Sequence, residues 1–515
     1  MTAGATKSIR ILTTVILTAC MLLAVRQDPA VADDIPPIRI ATSVFPSDIG
    51  NPYQALRLPT LLPTHAVFDP LTVIAADGRV QPWLATDWSS RDARIWTVGL
   101  RQGVEFSNGA PFTSASLVAS FEHMQSPDGR SETIGSNLAD IASVTADGPH
   151  AVTITLAAPD ALFPIRLALW RIPDPDAWRH APGGAGNDRV PGTGPYRIAN
   201  LTSSEIVLAP NPHAWNPPAT PSVVISLVAD ELARAQALAS GGVDVAMALS
   251  PLTRGSIEGA GGDLVRRKMS TMPYVGFALE GRPDAPLHDS RIRLALNLAV
   301  DRTAIVDTLL DGLVEPANQL ALPGAPGYVA ELPPFAYEPE RARALLAEAG
   351  FPDGIDLTLR LAPFGPDDLA TYQQVASDMK AAGIRLTLQV TPVNLLTQML
   401  FAGDMRGADL FTTVARGLDP LADYRIRACL GLTGSRKPLY CHPNSMPLFA
   451  RAREAPTAAA AAALTAEALS IEHGDPPGIF LWSALALDGV GPDIAAPGIF
   501  ARYYDFVPLH ELKRQ

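Results

Sequence analysis

The 515 residues are 47% hydrophobic and 18% charged, enough apolar chain for two or three lobes that each bury a core. Acidic side chains outnumber basic ones, 52 to 40, and the net charge of −12 excludes a partner that needs a basic surface, nucleic acid above all. Nine histidines and three cysteines fall at no metal-ligand spacing.

The N-terminus reads as an export signal. Lys7 and Arg10 precede the apolar run from Ile11 to Val25, and Ala30-Val31-Ala32 supplies small residues for cleavage, which sets 1–32 as a signal peptide. The run is short for a membrane span. Leu17-Thr18-Ala19-Cys20 also matches a lipoprotein box, although Met21-Leu22-Leu23 continues the apolar run where a lipid-bearing cysteine usually opens a polar tether. Either route places the chain outside the cytoplasm.

Ile38 to Thr42 is the first expected strand. Trp96 to Leu100 alternates as a strand, Asn108-Gly109 marks a turn, a helix starts at Ser114, and Ala151 to Leu156 is strand again. Gly192-Thr193-Gly194 precedes Pro195 and a strand-like Tyr196-Arg197-Ile198 rather than a helix, so it is no phosphate loop. Two β-α-β units follow. The first runs through Val223–Leu227, 232–239 and 243–246; the second through Ile355–Leu361, 367–382 and Ile384–Val390. Between them, Asp289 or Ser290 caps one helix carrying Leu294, Leu298, Ile305 and Leu309 on a face, closed by Gly312. A second helix has Pro339 in its first turn and Gly350 as its stop. The apolar segment from Gly478 to Leu487 suits a late strand. Alternation of this kind on both sides of the midpoint predicts two α/β lobes.

Several of these stretches form ordered phrases: Gln81-Pro82-Trp83-Leu84-Ala85, Leu100-Arg101-Gln102-Gly103-Val104-Glu105-Phe106, Asn108-Gly109-Ala110-Pro111-Phe112, the Gly192 to Tyr196 run, and the helix pair after His288. Together they resemble the family 5 extracellular solute-binding proteins, the peptide/nickel class of ABC-transporter receptors. The resemblance covers nearly the whole mature chain. Asn211-Pro212-His213-Ala214-Trp215 departs from it at Ala214, where members carry tyrosine. It implies a periplasmic-binding-protein-like II fold, α/β, with two lobes around a hinge and an extra subdomain inserted in lobe I. The expected boundaries are 33–70, 188–285 and 480–515 for lobe I, 71–187 for the insert and 286–479 for lobe II.

No nucleophile elbow, zinc-protease motif or Walker loop appears, so the chain is read as a receptor and not an enzyme. No cofactor is expected. The implied partners are a peptide-like or anionic small molecule and an inner-membrane ABC permease, with the receptor itself a monomer. A metal-chelate receptor of nickel or haem type is the alternative, and an extracellular hydrolase a distant one. From the resemblance, cleft residues are expected at Tyr53 and Arg57 in the first lobe and at Arg360, Arg416, Asp419 and Tyr424 in the second, with Trp482 an aromatic wall. Peptide-binding relatives carry an acid near Arg416 to hold the peptide ammonium; the reversed charge here suits a carboxylate or phosphate instead. Arg416 pairing with Asp419 and Trp482 serving as core remain open readings. Cys429 and Cys441 are expected to form a local disulfide.

Overall fold

The computed structural model describes residues 35–46, 48–54, 58–179, 190–279, 281–363, 368–422 and 439–515. The signal peptide, Arg57, Tyr424 and Cys429 lie outside the described residues. From Pro37 to Gln515 the described chain forms four sheets, three larger ones and a two-stranded one that pairs Thr72–Ile74 with Val80–Pro82.

The first sheet has seven strands, ordered Asp263–Arg266, Leu487–Val490, Val245–Leu249, Ile38–Thr42, Val223–Leu227, Glu205–Pro210, Tyr196–Leu201. Ile38–Thr42 lies parallel to both Val223–Leu227 and Val245–Leu249, as the crossover through the Glu231–Ala239 helix requires. Strand alternation sends Ile38 and Ile40 into one core and Ala41 into another, the latter shared with Ala235 and Leu238 of that helix. The sheet is covered on both faces.

The inserted part carries a four-stranded antiparallel sheet, ordered Ala85–Ser90, Ile95–Leu100, Ala151–Leu156, Ile141–Ala146, backed by the Ser114–Gln125 helix. Its Val98, Leu117, Ile154 and Trp170 share one core with Ile38, Ile40 and Val223 of the first sheet. Gly192 and Gly194 let the returning chain pass against the preceding helix. A Cβ on Gly192 would stand 1.9 Å from the Val67 carbonyl oxygen, so no larger residue fits.

The second sheet has five strands, ordered Ile384–Val390, Ile355–Leu361, Leu410–Arg416, Thr271–Phe277, Gly478–Phe480. Ile355, Leu357, Leu359 and Leu361 feed its core together with the helices Ser290–Leu298 and Pro339–Glu348. Three expectations need correction. Thr271–Phe277, placed in lobe I by the boundary at 285, is hydrogen-bonded into the second sheet along its whole length against Leu410–Arg416. The helix drawn from Ser290 to Gly312 is two, Ser290–Leu298 and Arg302–Leu309, because Asp301 caps the second by accepting from the Ala304 amide. The late strand is also two, Gly478–Phe480 in the second sheet and Leu487–Val490 in the first. The chain therefore crosses between the sheets twice, at 267–270 and 481–486.

Candidate functional site

The crossings bring a set of polar side chains to the place where the lobes meet. In the second sheet Arg416 stands opposite Thr271, beside the first crossing. Its Nη2 donates to Asn137 Oδ1 at 2.5 Å, in the short Thr133–Asn137 helix of the insert. Asp419 is buried; its amide donates to the Arg416 carbonyl and its carboxylate accepts from the Ala422 amide at 2.9 Å. Its charge also acts on Arg166, a buried guanidinium that forks onto Asp140 and Asp160. Arg416 and Asp419 thus both face the insert.

The other expected residues are not gathered here. Tyr53 is fully buried, its ring stacked on His123 at 5.0 Å and edge-on to Trp178 at 5.4 Å, and its hydroxyl bonded to Ser120 at 2.7 Å. It packs in the core between the first lobe and the insert, with its ring and hydroxyl both satisfied inside. Arg360 alternates away from the core face of its strand and donates to the Arg406 carbonyl at 3.1 Å, so it tethers a loop of its own lobe. The strand is interior to the sheet and not at its edge. Trp482 is 3% exposed and sits on the second crossing in the second-lobe core, where a bridge joins it to Pro316. Cys441 is disulfide-bonded.

Sequence reasoning did not single out a buried polar pair on the first-lobe side, His65 and Arg171. All seven residues of the Leu61–Val67 helix are buried, so its two polar side chains, Thr64 and His65, point into protein. Arg171 Nη2 lies 2.9 Å from His65 Nε2. A guanidinium only donates, so His65 accepts on Nε2 and carries its proton on Nδ1. That Nδ1 and the Arg171 Nε both lack a hydrogen-bond partner, as do the buried Thr64 Oγ1, Thr271 Oγ1 and Asp505 Oδ1. Arg171 has no ion pair among the described residues; its remaining bond goes to the Leu169 carbonyl at 3.2 Å. Burial pulls the Arg171 guanidinium down to about 9, with Asp505 opposing the fall. Burial, then the Arg171 charge, hold His65 well below the ordinary imidazole range.

Arg302 provides the contrast. Burial lowers it to about 9 as well, yet its three nitrogens reach the Phe480, Asn297 and Val300 carbonyls and Asn297 Oδ1. Arg302 is a structural cation with its donors used; Arg171 is a buried cation with donors to spare. Asp505 acts on Arg171 and accepts from the Ser270 amide and hydroxyl; Ser270 adjoins Thr271, and Thr271 faces Arg416. Arg171 stands on the first-lobe side with an unpartnered Nε, and Arg416 on the second-lobe side, bonded to Asn137 of the insert. The signal in the sequence was an arginine inside the apolar stretch from Leu167 to Ile172.

Residues 79–413 match the family described as bacterial extracellular solute-binding proteins, family 5 Middle. The chain is similar to the nickel-binding periplasmic protein of Escherichia coli K12, 29% identical over 373 residues, 67% of this chain and 70% of that protein. It is also similar to a probable di/tripeptide-binding protein of Pseudomonas aeruginosa, 27% identical over 354 residues, 61% of this chain and 65% of that one. Among solved structures, NikA from Brucella suis in complex with Fe(III)-EDTA superposes with a TM-score of 0.77 at 22% identity, covering 93% of this chain and all of that one. The substrate-binding protein CtaP from Listeria monocytogenes gives 0.78 at 19% identity over 94% and 100%. These likenesses fix the fold as the two-lobed α/β one. On the family match, the chain belongs to the bacterial extracellular solute-binding proteins of family 5, receptors that bind a solute without transforming it.

Proposed function

We propose that this protein is the solute-capturing receptor of an ABC importer, working outside the cytoplasm and handing its ligand to a membrane permease, and that the ligand is a small organic anion. The observation that carries the choice of ligand is Arg171, buried beside a neutral His65 with its Nε unpartnered and no ion pair among the described residues. A buried cation without an ion pair is costly even with Asp505 acting on it from a distance, and a ligand that supplies a direct counter-charge offsets that cost. Arg416 offers a second positive group from the opposite lobe. Closure is then favoured only by contacts made on both sides of the ligand, which a solute bridging Arg171 and Arg416 provides.

A metal chelate is the second reading. It is favoured by similarity to a nickel-binding protein and by a fold neighbour solved with Fe(III)-EDTA. No group of three or more His, Cys, Asp or Glu among the described residues is placed to hold a bare ion, so a metal would arrive in a chelator whose carboxylates meet the same arginines.

Mass spectrometry of solute co-purified under native conditions, followed by calorimetry with a panel of di- and tricarboxylates, phosphates, dipeptides and Ni(II)–histidine, tests both. The expected result is a carboxylate or phosphate ligand whose affinity falls at least about 100-fold in Arg171→Met. Binding of dipeptides through their ammonium groups, unaffected by Arg171→Met, overturns the anion assignment.

A further inference from the structure

Opening the cleft must do more than part the ligand site, because the insert is wedged against the second lobe along a separate seam. The insert shares its core with the first sheet and so travels with the first lobe. Yet its Ala93 and Ala161 pack with Ala455 and Ala461 of the second lobe in a cluster of small buried side chains. Leu162 is counted in the second-lobe core. Below it, the turn at Gly78 meets the turn at Gly324 so closely that a Cβ on Gly78 would stand 2.6 Å from the Gly324 carbonyl oxygen. A Cβ on Gly324 would stand 2.3 Å from that of Asp77. The Arg416–Asn137 hydrogen bond closes the other end.

We infer that this seam is a closing latch: the insert acts as a third jaw whose contact with the second lobe exists only when the cleft is shut, and which sets how far the empty receptor is closed. The composition of the seam sets its strength. Alanine and glycine allow backbone-to-backbone approach but bury little apolar area, and hydrophobic stabilisation scales with area. A seam of leucines throughout would lock the lobes; one built mainly of alanine and glycine, with only Ile74 and Leu162 reaching into the second-lobe core, biases them while leaving opening accessible. The closed fraction of the empty protein multiplies directly into apparent affinity, so a change in the seam changes binding of any solute without touching Arg171.

The test uses no solute, so its outcome is independent of the ligand assignment above. Small-angle scattering and amide exchange are compared for the wild type, Ala461→Glu and Asn137→Ala, all purified free of ligand. Ala461 is fully buried in the seam, so a carboxylate there forces the lobes apart. Asn137 is partly exposed, and its loss removes one cross-lobe bond from a fold otherwise intact. The expected result is a larger radius of gyration in both variants and amide exchange in residues 160–168 about tenfold faster. Wild-type scattering and exchange in Asn137→Ala overturn the latch, whether Ala461→Glu opens, stays shut or fails to fold.

Discussion

Arg171 separates stability from function at a single residue. Its guanidinium is 2% exposed, has one unpartnered nitrogen and makes no ion pair among the described residues. Replacing it with methionine removes a buried charge that only the Asp505 field partly compensates and keeps most of the side-chain volume. The expected outcome is a melting temperature unchanged or raised by a few degrees, read by calorimetry, alongside the loss of anion binding described above. A large destabilisation would make Arg171 a structural strut. His65 gives a pH signature. Its folded-state pKa is depressed by burial and by Arg171, so below about 6.5 the unfolded chain takes up a proton that the folded protein refuses. Its contribution is therefore full above that pH and is lost as pH falls toward the folded value. The limiting slope is about 1.4 kcal/mol per pH unit. Urea unfolding between pH 7.5 and pH 5 is expected to show a shallower decline in His65→Gln than in the wild type. Equal slopes would mean that His65 already shares its proton in the fold.

At the scale of elements, most of the molecule was readable in advance, for local reasons. Ile355–Leu361 and Ile384–Val390 alternate apolar and polar residues, and Gly383 turns the chain with a positive φ just before the second strand. Pattern and punctuation agree, so the bounds coincide. The break at 299–301 was hidden because Leu298 and Ile305 keep helical spacing across it; the cue was Asp301, a capping residue set in mid-run. Asp301→Ala is expected to cost about 1 kcal/mol in equilibrium unfolding, and Asp289→Ala a similar amount, since each side chain caps its own helix. If the two helices were one continuous rod, Asp301→Ala would stabilise it instead, as alanine is the better interior residue. The site was less legible than the elements. His65 and Arg171 are separated by 106 positions, so no spacing rule joins them. The burial of Tyr53 was not legible, because an aromatic in a loop looks the same in sequence whether it faces solvent or the His123 and Trp178 rings.

For the whole molecule, the two crossings decide how the lobes stay coupled, and one buried ion pair sits where they run side by side. Arg267 on the first crossing donates to Asp488, just past the second, at 2.8 Å, with side-chain exposures of 2% and 0%. The Arg267 amide also reaches the Ala486 carbonyl, and Asp488 accepts from the Ala248 amide of the first sheet. The crossings are thus bound to each other and to the first lobe at this end, while residues 481–483 of the second crossing bond to Glu315–Ala317 of the second lobe. Breaking the pair from one side strands a charge in the interior. Asp488→Asn is expected to cost about 3–5 kcal/mol, and the Arg267→Met, Asp488→Leu double variant much less, because it leaves no unpaired charge behind. Denaturant titration of the single and double variants measures both values and their coupling. If the double variant recovers stability but shows altered scattering without ligand, the pair serves to hold the crossings in register rather than to hold the fold together. If single and double variants lose the same amount, the geometry of the crossings depends on the charges themselves.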